Sequence, residues 1–277
     1  MDTHHAYSAE FENAIASYVV GDPADRSDKT ILEMYTKVDY SMSFFDHCRQ
    51  FFDISGKKFI EVGCGTGYVS TAAGQLGAKV SATDFVPRAV ELTRLRLAEH
   101  SLTGDVFISD LREPLEPQRR TAFDVVFCFQ VLEHIPREQQ WKALSNLFQL
   151  VAPGGFLFID TENSLCPYDR HDTKTWLLRL MTRGVADSII ATLGKGLNFY
   201  EPSKDGYVQT RDYLSYDEII GAAMVNDFKI VNSFMPHGTQ AQYLRIVTGS
   251  DWLHESILQY FNIERFSPIS LLLRKHV

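Results

Sequence analysis

The segment Phe59-Ile60-Glu61-Val62-Gly63-Cys64-Gly65-Thr66-Gly67 runs from an apolar stretch into three glycines at alternate positions. Glycine lets a backbone turn sharply and approach a ligand with no Cβ in the way, so this loop is a candidate cradle for a small molecule. Its spacing argues against one large class. The dinucleotide fingerprint needs G-x-G-x-x-G, but the sixth position counted from Gly63 is Tyr68, and the third glycine arrives one residue early. Asp84 closes the next apolar run, where a carboxylate can accept hydrogen bonds from the ribose hydroxyls of a nucleoside lying across strand ends. An acid at that place also reads as an ordinary helix cap. His134 follows the fourth apolar run, and an imidazole titrates near neutral pH, as a general base requires. His171 lies in Tyr168-Asp169-Arg170-His171-Asp172, where aromatic, acidic and basic groups converge; a solvated loop is the plainer reading. His4 and His5 lie at a terminus and carry no assignment.

Such residues must be held by elements, and from Lys57 onward short apolar runs alternate with helical patterns, which is how βαβ units read. Strands are predicted at 58–63, 79–84, 105–109, 123–130 and 155–161. Helices are predicted near 66–76, 87–100 and 137–151, the last ended by Pro153-Gly154-Gly155. Five strands with helices between them in about a hundred residues describe an open doubly wound α/β sheet. Ahead of it, residues 8–20 have a weak helical pattern. Residues 29–52 place Ile31, Tyr35, Val38, Met42, Phe45 and Phe52 at helical steps, with Asp28 as a candidate cap. Residues 163–212 interrupt the rhythm with a Pro/Asp/His-rich stretch and an apolar helix-like segment at 175–193. They read either as a substrate cap or as a packing subdomain. The pattern resumes with a helix at 215–226, a strand at 228–234, a helix near 251–262 and a last strand around 269–275.

The acid-x-G-x-G-x-G form of Glu61 to Gly67 resembles motif I of class I S-adenosylmethionine-dependent methyltransferases. The resemblance extends through Asp84, Ser109-Asp110-Leu111, Gln130-Val131-Leu132-Glu133-His134 and Leu150-Val151-Ala152-Pro153-Gly154-Gly155. The last two segments are similar to the ubiquinone-biosynthesis type and its small-molecule relatives. The resemblance covers residues 55–162 well and the final helix and strands loosely. It implies a seven-stranded, mostly parallel sheet with an antiparallel last strand, amino-terminal helices and a cap insertion. It also implies S-adenosylmethionine as cofactor, its methionine part over Gly63 and Gly65 beside Cys64 and Gly67. Glu61 would act on the amino end, Asp84 and Phe85 at the ribose, Asp110 and Leu111 at the adenine, and Gln130 and Val131 would complete the cofactor contacts. His134 matches a position where some O-methyltransferases carry a catalytic histidine; elsewhere the same histidine only hydrogen-bonds its loop. Tyr18, Tyr35 and Tyr40 are candidates for a lid, with Tyr35 reading better as core.

The implied organisation is a helical lid over 1–54, a cofactor-binding core over 55–162, a cap over 163–212 and completion of the sheet over 213–277. A chain of 277 residues with 45% hydrophobic and 22% charged residues suits one such decorated domain. Net charge is -8 with scattered basic residues, which disfavours nucleic acid as a partner. The Asn/Asp-Pro-Pro-Tyr/Phe signature of amide and base N-methyltransferases is absent, so a small-molecule substrate is preferred. Methylation of nitrogen, of carbon or of a protein stands as the alternative, together with a binding module that has lost turnover. No apolar run is long enough to span a bilayer, and the first twenty residues carry acids where a signal peptide carries bases, so a cytoplasmic protein is expected. Cys48, Cys64, Cys128 and Cys166 form no CxxC pair, which argues against a metal site and for reduced, buried thiols. A homodimer is left open.

Overall fold

The computed structural model describes residues 7–19, 39–114, 116–166, 181, 183–192, 213–233 and 268–277. The elements in chain order are α1 (Ala9–Val19), α2 (Asp39–Cys48), β1 (Lys58–Val62), α3 (Tyr68–Gln75), β2 (Lys79–Asp84), α4 (Pro87–Glu99), β3 (Gly104–Ile108), β4 (Phe123–Phe129), α5 (Arg137–Leu150), β5 (Val151–Thr161), α6 (Arg183–Thr192), α7 (Tyr216–Val225), β6 (Phe228–Ser233) and β7 (Ile269–Lys275). Short 3-10 turns lie at Pro117–Arg119 and Leu132–His134. The seven strands run in the order β3-β2-β1-β4-β5-β7-β6. β1, β2 and β3 pair in parallel, and β7 runs antiparallel to both β5 and β6. This is the doubly wound sheet with a reversed last strand that the sequence implies.

By density of contacts the chain forms two compact units, Met1–Phe127 with Gln149–Gly155, and Cys128–Phe148 with Phe156–Val277. The first holds β1 to β3 and the helices α1 to α4. Strand β1 is buried on both sides after Lys58, as a central parallel strand must be, which is why it reads as a continuous apolar run. Phe59 packs with Phe45 of α2 and Phe127 of β4, at ring separations of 6.0 and 6.1 Å. Helix α4 starts with Pro87 at its first turn, where a missing N–H is no loss. Helix α1 packs on α4 through Phe11, Ile15 and Leu92, and Tyr7 and Tyr18 lie against the same cluster.

The second unit holds α5, α7, β6, β7 and most of β5. Its core includes Leu144, Leu147, Phe158, Ile219 and Leu271 to Leu273, with Phe148 and Phe228 ring to ring at 5.0 Å. Helix α7 opens with a capping box: the Ser215 hydroxyl accepts from the Glu218 N–H while the Glu218 carboxylate accepts from the Ser215 N–H.

Boundaries differ from expectation in two informative places. The helix predicted from residue 66 begins at Tyr68, because Thr66 and Gly67 belong to the loop. The helix predicted to run to 151 and stop at Pro153-Gly154-Gly155 ends at Leu150, and β5 begins at once at Val151. The glycines serve the strand instead. A Cβ on Gly155 would fall 2.9 Å from the carbonyl oxygens of Asp124 and Ala152, so only glycine permits that approach. All four cysteines are buried thiols. Among the described residues no helix is long and apolar enough to cross a membrane. His171, Ile31, Tyr35, Val38, Asp28, most of 163–212 and the helix predicted near 251–262 lie outside the described residues.

Candidate functional site

The glycine loop is pinned from beneath. The N–H groups of Gly63 and Cys64 both donate to the Thr83 carbonyl at the end of β2, at 2.8 and 2.9 Å, and the Gly67 N–H closes the turn on the Cys64 carbonyl at 2.7 Å. From α4, the buried Thr93 hydroxyl reaches Cys64 Sγ at 3.2 Å and the Gly65 carbonyl at 3.3 Å. Gly65 and Gly67 both have positive φ, yet they differ in purpose. A Cβ on Gly67 would collide with Thr93 at 2.8 Å, so this glycine is dictated by packing. A Cβ on Gly65 would meet nothing within 4 Å. The loop therefore keeps an open face at Gly65 that a ligand can fill. Beside it the Thr66 hydroxyl is buried with no hydrogen-bond partner among the described residues, a state that native interiors seldom tolerate without a further occupant.

Two carboxylates border the loop. Glu61 is fully buried, and its Oε2 accepts from both the N–H (2.8 Å) and the hydroxyl of Ser70, fixing the first turn of α3. Burial pushes its pKa up to about 8, against the Ser70 hydrogen bonds and the Arg96 charge, with Asp84 adding to the rise. Asp84, 7% exposed, accepts from the Gly65 N–H and the Val86 N–H, each at 3.0 Å. Burial raises its pKa too, while these backbone donors and that of Phe85 hold it down. It thus ties the glycine loop to the start of α4. A carboxylate offers about four acceptor sites, so after three backbone donors Asp84 keeps room for about one more strong hydrogen bond.

Asp110 forms a two-pronged ion pair with Arg112 (2.6 to 3.0 Å), and the same guanidinium lies 5.6 Å from the centre of the Phe85 ring. Leu111 is buried next to them. The first unit thus brings together Glu61, Gly63, Cys64, Gly65, Gly67 and Asp84 in one hydrogen-bonded loop, and joins Phe85 to Asp110 through Arg112.

In the second unit, Gln130 leaves β4 with φ of 54°, a left-handed conformation uncommon outside glycine, and its N–H donates to the Asp160 carbonyl at 2.8 Å. Such strain persists where surrounding structure enforces it, and it clusters at functional sites. Val131 follows, then the turn Leu132–His134, closed by the His134 N–H on the Val131 carbonyl at 3.0 Å. Glu133, buried, accepts from the Thr161 hydroxyl at 2.9 Å and so fastens this turn to the end of β5.

Residues 60–157 match a protein family described as a methyltransferase domain. Over residues 60–157 the chain thus reads as a methyltransferase domain. The ubiquinone biosynthesis O-methyltransferase of Xanthomonas oryzae pv. oryzae is 35% identical to it over 111 residues, 40% of this chain and 45% of that protein. The mitochondrial ubiquinone biosynthesis O-methyltransferase of Schizosaccharomyces pombe is 31% identical over 170 residues, 60% of this chain and 55% of that protein. The chain thus spans about half the length of these curated relatives. An S-adenosylmethionine-dependent methyltransferase from Mesorhizobium loti shares the fold, with a TM-score of 0.52 at 16% identity over 86% of this chain and all of that one.

Four side chains have contacts that no motif reveals: Arg96, Arg112, Thr161 and Glu133, the last standing inside the matched Gln130–His134 segment with no role assigned to it. Arg96 had a visible signal, since it occupies the inner stripe of α4 with Leu92 and Thr93, where an apolar residue is the norm. The partners of Arg112 and Glu133 depend on where the chain folds back, which no spacing reveals.

Proposed function

We propose that the protein transfers a methyl group from S-adenosylmethionine to the hydroxyl oxygen of a small molecule. The observation that carries this reading is the loop from Gly63 to Gly67: its face is open at Gly65, its Thr66 hydroxyl has no partner among the described residues, and Glu61 and Asp84 flank it within a matched methyltransferase domain. The cofactor, when bound, supplies a carbon activated by a positive sulfonium. Glu61 holds the amino end, the loop backbone the carboxyl end, and Asp84 a ribose hydroxyl with its remaining acceptor site. Gln130 and Val131 add backbone contacts, and Asp110 and Leu111 meet the adenine, with Arg112 orienting the Asp110 carboxylate. The protein's remaining tasks are to orient the acceptor and exclude water, which supply most of the acceleration in a simple displacement. His134, on the turn fastened by Glu133 and Thr161, takes the proton from the acceptor hydroxyl. That the curated relatives are named O-methyltransferases supports oxygen as the acceptor atom. His171 is the second candidate for the base.

Calorimetric titration with adenosylmethionine and adenosylhomocysteine tests the reading. Both are expected to bind and to raise the melting temperature, by about 2.7 kcal/mol of added stability at a hundred times the dissociation constant, whereas NAD does neither. No binding by folded protein would overturn it.

A further inference from the structure

Strands β1, β2 and β3 are neighbours in that order, Val62 pairing with Thr83 and Asp84 with Ile108. The glycine loop leaves β1, Asp84 closes β2, and where the chain leaves β3 the Ser109 N–H donates to the Asp84 carbonyl at 3.0 Å. A nucleoside whose amino-acid tail lies on the loop and whose sugar meets Asp84 therefore carries its base onward, toward the end of β3. Asp110 stands there, two residues past the strand. Its carboxylate is set by its own neighbours. The Arg112 N–H donates to Oδ1 at 2.9 Å, the Arg112 Nε–H to Oδ1 at 2.8 Å and to Oδ2 at 3.0 Å, and Nη2 to Oδ2 at 2.6 Å. The Glu113 N–H closes the same turn on the Asp110 carbonyl at 3.0 Å. The guanidinium also lies 5.6 Å from the ring centre of Phe85, the residue after Asp84. A planar fork fixes the plane of a carboxylate, which a single point charge does not. Both side chains remain partly exposed, 29% for Arg112 and 28% for Asp110, so the pair is within reach of a ligand. An ion pair so exposed adds little to stability; its effect is on direction.

We propose that Arg112 is a positioning residue that sets nucleobase specificity: its fork holds the Asp110 carboxylate in one orientation, which presents an acceptor to an exocyclic amino group and so selects a 6-aminopurine. The inference rests on the cofactor reading made above, in which the glycine loop and Asp84 hold the rest of the nucleoside. A carboxylate only accepts hydrogen bonds, so an amino group suits it. That group meets an acceptor already aimed, with no further side chain to order. A base with hydrogen in the amino group's place leaves the acceptor unanswered. Without the fork the carboxylate turns about its own bonds, and the contact must then offset the ordering of Asp110.

The test is calorimetric titration of the full chain with two ligands: adenosylhomocysteine, and its analogue built on purine riboside, in which hydrogen replaces the 6-amino group. Wild type is expected to prefer adenosylhomocysteine roughly tenfold, the size of one hydrogen bond to a charged group. In Asp110→Ala the two ligands should bind alike. In Arg112→Met the preference should fall to about threefold or less, because the carboxylate must be ordered on binding. Arg112→Lys, which keeps the charge and loses the fork, should lie between wild type and Arg112→Met. A merely structural loss weakens both ligands by the same factor and leaves the preference where it was. That result, or binding unchanged from wild type, overturns the proposal. Should Arg112→Met fail to fold, Arg112→Lys decides, since its preference must lie below that of wild type; an equal preference overturns the role of the fork. Equal binding of the two ligands by wild type overturns the placement of the base at Asp110 and the proposal with it. Absence of any binding by wild type overturns the cofactor reading itself, a distinct result.

Discussion

Gly65 and Gly67 stand two residues apart, both in left-handed conformation, and their substitution should separate two kinds of necessity. Gly67→Ala forces a Cβ onto Thr93 and should cost about 2 kcal/mol or more of stability in denaturant unfolding. Gly65→Ala meets open space and should cost about 1 kcal/mol from its positive φ alone. On the proposed cofactor assignment it should nevertheless bind adenosylhomocysteine poorly, because the methyl group enters the open space beside Gly65. Equal stabilities for the two variants would contradict the packing described. His134 allows an equally sharp separation. On the function proposed above its loss removes the base and no cofactor contact, so His134→Ala should slow turnover by roughly a hundredfold or more while leaving cofactor affinity nearly intact. Full activity on the true acceptor would remove His134 from that role.

Helix α7 is the element whose start is most completely specified by its own residues. Ser215 and Glu218 satisfy each other's backbone donors, and the Glu218 carboxylate also accepts from Arg137 at the start of α5. One short motif thus caps one helix and ties it to the next. Ser215→Ala should lower the unfolding free energy by about 1 kcal/mol. Chemical denaturation that shows no change would mean that α7 takes its stability from packing of Ile219 and Ala223 alone. Helix α4 illustrates the opposite case, with no side-chain cap of its own at Val86. Its start is held by Asp84 on the preceding strand, so its stability and the geometry of the glycine loop are one property.

Across the whole molecule, buried Glu61 links stability to pH. Its pKa is about 8 in the folded chain against an ordinary 4.5, so between those values the folded state holds more protons than the unfolded one. Stability from this group is therefore fully present below about pH 4.5 and is lost as pH rises through about 8. Thermal unfolding of wild type and Glu61→Gln over that window should show the wild type losing ground as pH rises, with the variant flatter. Parallel curves would mean that Glu61 is ionised in the folded protein throughout.

Local chemistry made much of this legible in the sequence. The alternation of apolar runs and helical stripes announced the sheet, and β2 and β7 fall at the residues expected, because a strand inside a sheet covered on both faces leaves a short apolar run, whether it pairs in parallel as β2 does or antiparallel as β7 does. The glycine loop and its pairing with Asp84 were likewise legible, since backbone freedom is a property of residue type, and the Gly65 N–H does donate to the Asp84 carboxylate. Other features depended on contacts between distant segments. The spacing of Pro153-Gly154-Gly155 reads as a helix stop, yet Gly155 answers to the Asp124 carbonyl across the sheet. The sequence marks Arg96 as an oddity, but only packing sets the rings of Phe11 and Tyr7 against its guanidinium. Periodicity is written residue by residue, whereas the field on a buried charge is decided by whichever remote segments exclude its water.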